Sequence, residues 1–171
     1  MPPLGGLHTN AHQTDELLTP LSQLVGAWTI EATHPAFPST VVGGEAHFEW
    51  LEGERFLIHR ARTDHPDFPD SISIIGFTER DRVESSPTSD PTTGNPPPLR
   101  MHYFDSRGVF RIYEVGIDDA SWRIWRDAPG FSQRFTGLLA DRGETIVGRW
   151  QLRRDDLQWD NDLEITYRRR K

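Results

Sequence analysis

The stretch "SWRIWRDAPGFSQRF", residues 121–135, contains two segments of alternating apolar and polar residues on either side of a Pro-Gly turn. Alternation with a period of two is typical of a β-strand with one face in the core, and Gly, Pro and Asp join such strands into hairpins. We predict that Trp122, Ile124 and Arg126 face inward and that the alternate residues face water. The stretch therefore predicts a β-hairpin with an aromatic inner face.

The same period of two continues along the chain from residue 25 onward, interrupted by turn residues. Ten strands are predicted, at residues 25–34, 40–50, 55–63, 71–79, 99–105, 109–116, 121–127, 131–139, 145–154 and 162–170. Nearly every link is short enough for a hairpin, so the simplest topology is an up-and-down antiparallel meander. Closure removes both exposed edges and makes a barrel wide enough to enclose a cavity. We therefore predict an all-β fold, a ten-stranded up-and-down antiparallel β-barrel.

Helix signals occur only before the first strand. Thr14 can cap a helix at "DELL", and Thr19, followed by a proline, is a second start signal because proline loses no hydrogen bond at the first helical position. We predict that "TPLSQL" forms a short helix. Residues 1–13 are predicted to be a flexible N-terminus and residues 14–171 a single domain. Within this domain, residues 82–98, rich in Ser, Thr and Pro, are predicted to be a flexible loop.

Composition and charge argue against several classes of function. The chain of 171 residues has a formal net charge of -7 and no cysteine. The acidic balance argues against nucleic acid as a partner, and the lack of cysteine excludes thiol nucleophiles and thiolate metal sites. No apolar run approaches the roughly 18 residues of a membrane-spanning helix, and the N-terminus does not read as a secretory signal. We expect a cytoplasmic protein with no membrane partner. It is a monomer or a homodimer, since an outward Trp125 is either a dimer contact or an isolated surface aromatic.

The start of the first strand carries a family resemblance. A short helix followed by Gly26-Ala27-Trp28 resembles the Gly-x-Trp start of calycin barrels, which include lipocalins, fatty-acid-binding proteins and nitrobindins. Three further stretches strengthen the likeness to a bacterial group of small calycin-type barrels, namely "FEWLEGERFLI" (48–58), "MHYFDSRGVFRIYE" (101–114) and "DLEITYRRR" (162–170). The resemblance implies a helix that closes one end of the barrel and loops that frame an open mouth at the other.

The resemblance also raises the question of haem. Nitrobindin-like proteins bind haem through a histidine near the C-terminus and have a glycine-rich first strand. In this chain Ile30 and Ala32 stand where glycines are expected, and no histidine follows His102. We therefore predict no cofactor and keep haem or nitric oxide binding only as an alternative.

Alternate links of a meander lie at the same end of a barrel, so the first, third, fifth and seventh links share one rim. The first and third links repeat the pattern His-Pro-x-Phe-Pro, as "HPAFPS" (34–39) and "HPDFPD" (65–70). The other side chains expected at this opening are Asp105, Arg107, Arg126 and Asp127. His34, His59 and His65 are candidate catalytic residues, because imidazole titrates near neutrality and can act as acid or base. The alternative is that His-Pro only ends a strand and that Phe37 and Phe68 cap the core. The histidines lack the close spacing of a metal site, so no metal is predicted; the alternative is a zinc or iron site that the fold assembles from His34, His59, His65 and an Asp or Glu.

The inner face of the barrel predicts a small-molecule site, because aromatic rings supply apolar contact area and a few polar groups fix orientation. The predicted ligand-binding residues are Trp28, Trp50, Tyr103, Trp122, Arg126, Phe131, Gln133, Phe135 and Trp150. Arg126 can anchor an anionic group; the alternatives are a salt bridge with Glu114 or Asp105, or stacking on a tryptophan. Any single aromatic residue can equally belong to the core.

The chain contains none of the common enzyme motifs, such as a Gly-x-Ser-x-Gly elbow or a P-loop. The predicted function is binding of a small, partly apolar molecule, with an anionic group if Arg126 anchors one. The alternative is a cofactor-independent enzyme, such as a cyclase, isomerase or dehydratase, that uses the rim histidines as acid and base.

Overall fold

The computed structural model of the protein describes residues 16, 18–77, 99–155 and 158–171. Its strands are β1 (Gly26–Thr33), β2 (Val42–Trp50), β3 (Phe56–Thr63), β4 (Ser71–Gly76), β5 (Leu99–Asp105), β6 (Phe110–Ile117), β7 (Ser121–Arg126), β8 (Ser132–Ala140), β9 (Thr145–Arg153) and β10 (Asp160–Arg169). These described residues also form two 3₁₀ helices, at Thr19–Leu24 and Asp141–Gly143. All ten predicted strands are confirmed, with ends shifted by a few residues.

The strands form a closed barrel in which each strand pairs with its neighbours in the sequence. The ring closes because β1 pairs on one side with β2, Trp28 opposite Ala46, and on the other with β10, Trp28 opposite Arg169. All of these pairings are antiparallel, so the predicted up-and-down barrel is confirmed. Closure satisfies the backbone hydrogen bonds that an open sheet leaves exposed at its edges.

The alternation of the sequence sets the two faces of the wall. In β7, Trp122 and Ile124 are buried while Trp125 is 39% exposed, as the pattern of the hairpin predicts. Close packing inside the wall depends on Gly148: a Cβ built there would lie 2.4 Å from the Phe135 ring. The missing side chain lets the aromatic ring lie directly on the backbone of β9.

The predicted N-terminal "TPLSQL" helix is described as a single 3₁₀ helix, Thr19–Leu24, with proline in its first turn. A longer helix that closes the barrel is not shown. Leu21 and Leu24 of this short element are fully buried in the core. The cap at Thr14, the N-terminus 1–13 and the loop 82–98 lie outside the described residues. Within the described part of the chain, no helix combines the length and apolarity that crossing a membrane requires.

Trp28 and Arg169 join the 3₁₀ helix to the barrel. The Trp28 indole N–H donates to the Leu24 carbonyl at 2.8 Å. The Arg169 guanidinium lies 4.2 Å from the centre of the Trp28 ring and donates to the carbonyls of Val25 at 2.6 Å and Gln23 at 2.7 Å. The Gly-x-Trp start and the C-terminal strand, which carry the family resemblance, therefore contact each other at this packed end of the barrel.

Candidate functional site

A cavity of about 460 Å³ occupies the barrel and reaches the rim formed by the β1–β2 and β3–β4 links, opposite the 3₁₀ helix. Its walls combine aliphatic side chains with a set of aromatic rings. The aromatic residues on the strands of the wall are Tyr103, Tyr113, Trp122, Phe135, Trp150 and Tyr167, and Phe37 and Phe68 lie at the rim. A cavity of this size and lining is typical of a site for a small, mostly apolar molecule.

The predicted site residues divide into two groups. The cavity is lined by His34, His59, Tyr103, Trp122, Gln133, Phe135 and Trp150. The remaining predicted residues, which do not line it, are His65, Trp28, Trp50, Arg126 and Phe131. Trp28 is fully buried in the core, and Trp50 packs against that core at the end of β2 far from the rim. These two tryptophans have the core role that the sequence left open.

The expected anionic anchor, Arg126, does not line the cavity. Its Nη1 donates to the backbone carbonyl of Phe131 at 3.0 Å, across the turn that joins β7 to β8. Glu114, a partner that the sequence suggested, lies beside Arg100 instead. The cations that do line the cavity are Arg107 and Arg111.

The two His-Pro-x-Phe-Pro links have the same local structure. In each, the histidine Nδ1 accepts the backbone N–H two residues later, at 3.0 Å for His34 and 3.3 Å for His65. The histidine carbonyl accepts the N–H of the phenylalanine, at 2.8 Å for Phe37 and 3.0 Å for Phe68. The ring centres of Phe37 and His65 are 5.6 Å apart, and those of His34 and Phe68 are 6.0 Å apart. The prediction that both links meet at one rim is therefore confirmed.

These contacts limit the proton chemistry of His34. Because Nδ1 accepts a backbone N–H, the neutral ring carries its proton on Nε2. That Nε2 lies 3.4 Å from Oδ1 of Asp162. Both ring nitrogens are therefore engaged in holding the link, which favours the interpretation of His-Pro as a strand-ending turn.

Asp162 reaches the cavity through a β-bulge that the alternation pattern does not predict. In the pairing of β10 with β9, Asn161 lies opposite Gln151 and Leu163 opposite Trp150, so Asp162 is an extra residue. Both Asp162 and Leu163 consequently line the cavity. Bulges commonly redirect a side chain beside a functional site. The one sequence signal is the Asp-Asn-Asp run at the start of β10, since these residue types are depleted in regular strands.

Gln133 connects the charged groups on one side of the cavity. Its Oε1 accepts from the Tyr113 hydroxyl at 2.7 Å and from Arg111 Nη1 at 2.8 Å, and its Nε2 lies 3.4 Å from Oδ2 of Asp162. The Arg111 guanidinium also lies 4.7 Å from the centre of the Phe131 ring. Burial raises the pKa of Tyr113, although its contact with Arg111 opposes the shift. One amide thus links a guanidinium, a phenol and a carboxylate.

A second group of polar contacts surrounds Asp105. Its carboxylate accepts from the Tyr103 hydroxyl at 3.2 Å, from Arg107 Nη2 at 3.0 Å and from the backbone N–H of Val109 at 3.0 Å. Desolvation works to raise the pKa of Asp105, but the hydrogen bonds from Val109 and Arg107 outweigh it and lower the pKa. Burial, followed by the charge of Asp105, raises the pKa of Tyr103. Arg107, whose side chain is 60% exposed, therefore forms an ion pair with Asp105.

The deep part of the cavity wall contains polar atoms without partners. His59 is 9% exposed and stacks on Phe48 with ring centres 4.1 Å apart. Burial lowers the pKa of His59 to about 3, so the ring is neutral. Within the described part of the chain, His59 Nε2 and Trp122 Nε1 have no hydrogen-bond partner. A buried polar atom without a partner costs about 1–3 kcal/mol unless a ligand or water satisfies it.

Across residues 18–77, 99–155 and 158–171, no group of three His, Asp or Glu side chains is placed to hold a metal ion. No family model and no curated protein matches the chain. Among solved structures, the crystal structure of Rv2717c from M. tuberculosis is similar, with a TM-score of 0.60 and 12% sequence identity, covering 91% of this chain and 98% of that chain. At this identity the likeness shows the barrel fold alone, and membership of the calycin family stays a prediction.

Proposed function

We propose that the protein binds a small, partly apolar molecule inside the barrel cavity. The observation that carries the proposal is a space of about 460 Å³ between aromatic walls, where the side chains of two lining residues carry polar atoms that have no partner among the described residues. An apolar molecule in this space gains packing contacts with the walls, and a polar group on it can satisfy the buried polar atoms, so both features favour a bound molecule.

The alternative of an enzyme with a histidine base has less support. A general base is most effective with a pKa near the operating pH, whereas burial lowers the pKa of His59 to about 3. His34 uses both ring nitrogens in contacts with the rim, and His65 does not line the cavity. Haem and nitric oxide binding stay outside the proposal because no histidine follows His102 in the sequence.

The test uses naphthalene as an uncharged probe and compares two phenylalanine substitutions. Ala61 lines the cavity, so Ala61→Phe fills the space; Leu138 is 56% exposed on the outer face, so Leu138→Phe is the matched control. We expect naphthalene to quench the tryptophan fluorescence of the wild type and of L138F with equal affinity. In A61F the affinity falls at least tenfold. No response in the wild type, or equal binding to A61F, contradicts the proposal.

A further inference from the structure

A stripe of polar side chains crosses four neighbouring strands on the inner face of the wall. The polar stripe consists of His59 (β3), Ser73 (β4), Tyr103 (β5) and Arg111 (β6), which pair in register from one strand to the next. All four line the cavity. Directly paired residues on one face have Cβ atoms about 5 Å apart, so the stripe is continuous. It runs from deeply buried His59 and Ser73 to Arg111, near the rim at the start of β6.

Opposite the buried end of the polar stripe, the inner wall of the barrel is aromatic. Trp122, Phe135 and Trp150 lie on β7, β8 and β9, and in a ring of ten strands β8 lies opposite β3. The ring centres of Trp122 and Phe135 are 5.0 Å apart, and those of Phe135 and Trp150 are 5.2 Å apart. The cavity therefore has a broad aromatic face on one side and a polar edge on the other.

The deep end of the cavity, where the ring centres of Trp122 and His59 are 6.3 Å apart, favours an uncharged oxygen atom. The Trp122 indole N–H is a donor only, and the neutral His59 ring has one donor and one acceptor nitrogen. Trp122 Nε1 and His59 Nε2 have no protein partner among the described residues. A hydroxyl or carbonyl group satisfies such atoms without the desolvation cost of burying a charge.

The outer end of the cavity offers an anion little attraction, because the carboxylates of Asp67 and Asp162 line it together with Arg107 and Arg111. Arg107 Nη2 contacts the Asp105 carboxylate at 3.0 Å. Arg111 shares the Gln133 amide with Asp162, whose carboxylate itself lines the cavity. A bound carboxylate therefore has to compete with these internal contacts and lies near a like charge.

We infer that the cavity selects an uncharged, flat hydrophobic molecule that carries hydroxyl or carbonyl oxygens along one edge. The oxygens bind the polar stripe, and the flat face packs on Trp122, Phe135 and Trp150. The inference rests on the proposed function and names the ligand class of the same cavity.

The test compares three probes that share one ring system and differ in one substituent: naphthalene, 2-naphthol and 2-naphthoate, titrated at neutral pH by calorimetry. We expect 2-naphthol to bind roughly tenfold more tightly than naphthalene, as one hydrogen bond to a buried neutral partner allows. We expect 2-naphthoate to bind at least tenfold more weakly than 2-naphthol.

The variant His59→Phe keeps the stacking on Phe48 and removes both ring nitrogens. It is expected to bind naphthalene as the wild type does and to lose the preference for 2-naphthol. His102→Phe, on the outer face beside Phe110, is the matched control and retains that preference. Ser73→Ala, a smaller change within the polar stripe, is expected to reduce the preference as well and gives a second test if H59F does not fold.

The outcomes separate the two proposals. Binding of naphthalene with equal or tighter binding of 2-naphthoate than of 2-naphthol overturns the inference and leaves the proposed function standing. Equal binding of naphthalene and 2-naphthol to the wild type also overturns it. If none of the three probes binds, the proposed function fails and the inference fails with it.

Discussion

Replacement of Arg169 by alanine removes the side chain that joins the 3₁₀ helix to the packed end of the barrel. Its guanidinium donates to the carbonyls of Val25, Gln23 and Gly143, at 2.6, 2.7 and 3.2 Å, and covers the Trp28 ring. The side chain is 24% exposed, so water replaces only part of these contacts. The substitution therefore leaves backbone acceptors poorly satisfied at a packed end of the core.

The expected loss can be worked from the contacts. Hydrogen bonds to a charged group contribute about 1.5–3 kcal/mol each when fully buried, and a cation–π contact about 0.5–2 kcal/mol. Partial exposure and rehydration reduce the sum, so we expect Arg169→Ala to lower the free energy of unfolding by about 3 kcal/mol. In a domain of this size, 1 kcal/mol corresponds to about 2–4 °C in Tm, so Tm falls by about 6–12 °C.

Arg168→Ala is the matched control, since it makes the same change of charge at the adjacent residue. The Arg168 side chain points outward, contacts Glu31 at 2.6 Å and is 55% exposed. Exposed ion pairs contribute about 0–1 kcal/mol. Urea unfolding followed by circular dichroism and tryptophan fluorescence measures both variants. Equal destabilisation by the two substitutions, or a loss below about 1 kcal/mol in R169A, refutes the reasoning.

Three further predictions concern the cavity and its rim. Gln133→Leu breaks three hydrogen bonds at a buried amide and is expected to lower the free energy of unfolding by about 2–4 kcal/mol. Gln151→Leu on the outer face is the control and is expected to change it by no more than about 0.5 kcal/mol. Similar losses for the two variants in urea unfolding contradict this prediction. Burial lowers the pKa of His59 from its ordinary value of 6.5 to about 3 in the folded state. The unfolded state therefore binds the extra proton between these two values, and stability falls as the pH drops through that window. Relative to the wild type, His59→Phe should remove a slope of up to about 1.4 kcal/mol per pH unit between pH 4 and 6, and identical slopes contradict the assignment. His34→Asn keeps an acceptor for the backbone N–H of Ala36 and is expected to preserve Tm, whereas His34→Phe removes the acceptor and is expected to lower the free energy of unfolding by about 1 kcal/mol. If thermal unfolding shows the Asn variant to be less stable than the Phe variant, the ring nitrogen has no role in the turn.

Arg126, the expected anionic anchor, shows what the alternation pattern does not predict. The sequence correctly predicts that Arg126 stands on the inner side of β7, but a long side chain at a strand end reaches several acceptors. The Arg126 guanidinium donates to the nearby Phe131 carbonyl, and this hydrogen bond depends on the shape of the β7–β8 turn. Arg111 shares the inner face of β6 with Tyr113 and Val115, so alternation in "RIYEV" could have identified it.

Asp162 and the rim histidines show a second kind of feature that the sequence pattern does not predict. Asp162 enters the cavity because β10 carries an extra residue relative to β9, and a bulge changes which residues face inward without changing composition. The partners of His34 are a backbone N–H two residues away and a carboxylate on β10, far along the chain. The repeated His-Pro-x-Phe-Pro pattern predicts that the two links resemble each other and share a rim, but it does not distinguish a titrating base from a turn acceptor.

The sequence by itself determined the number of strands, their order and the inward faces of Trp122, Phe135 and Trp150. It could do so because pleating alternates side chains strictly and short links force neighbouring strands to pair. Only the tertiary structure decided which inward residues border open space and which, like Trp28, fill the core. It also decided which polar atoms are already paired, as for Arg111, and which have no partner among the described residues, as for His59 Nε2. These properties depend on distances between strands that are remote in the chain, and residue order alone does not set such distances.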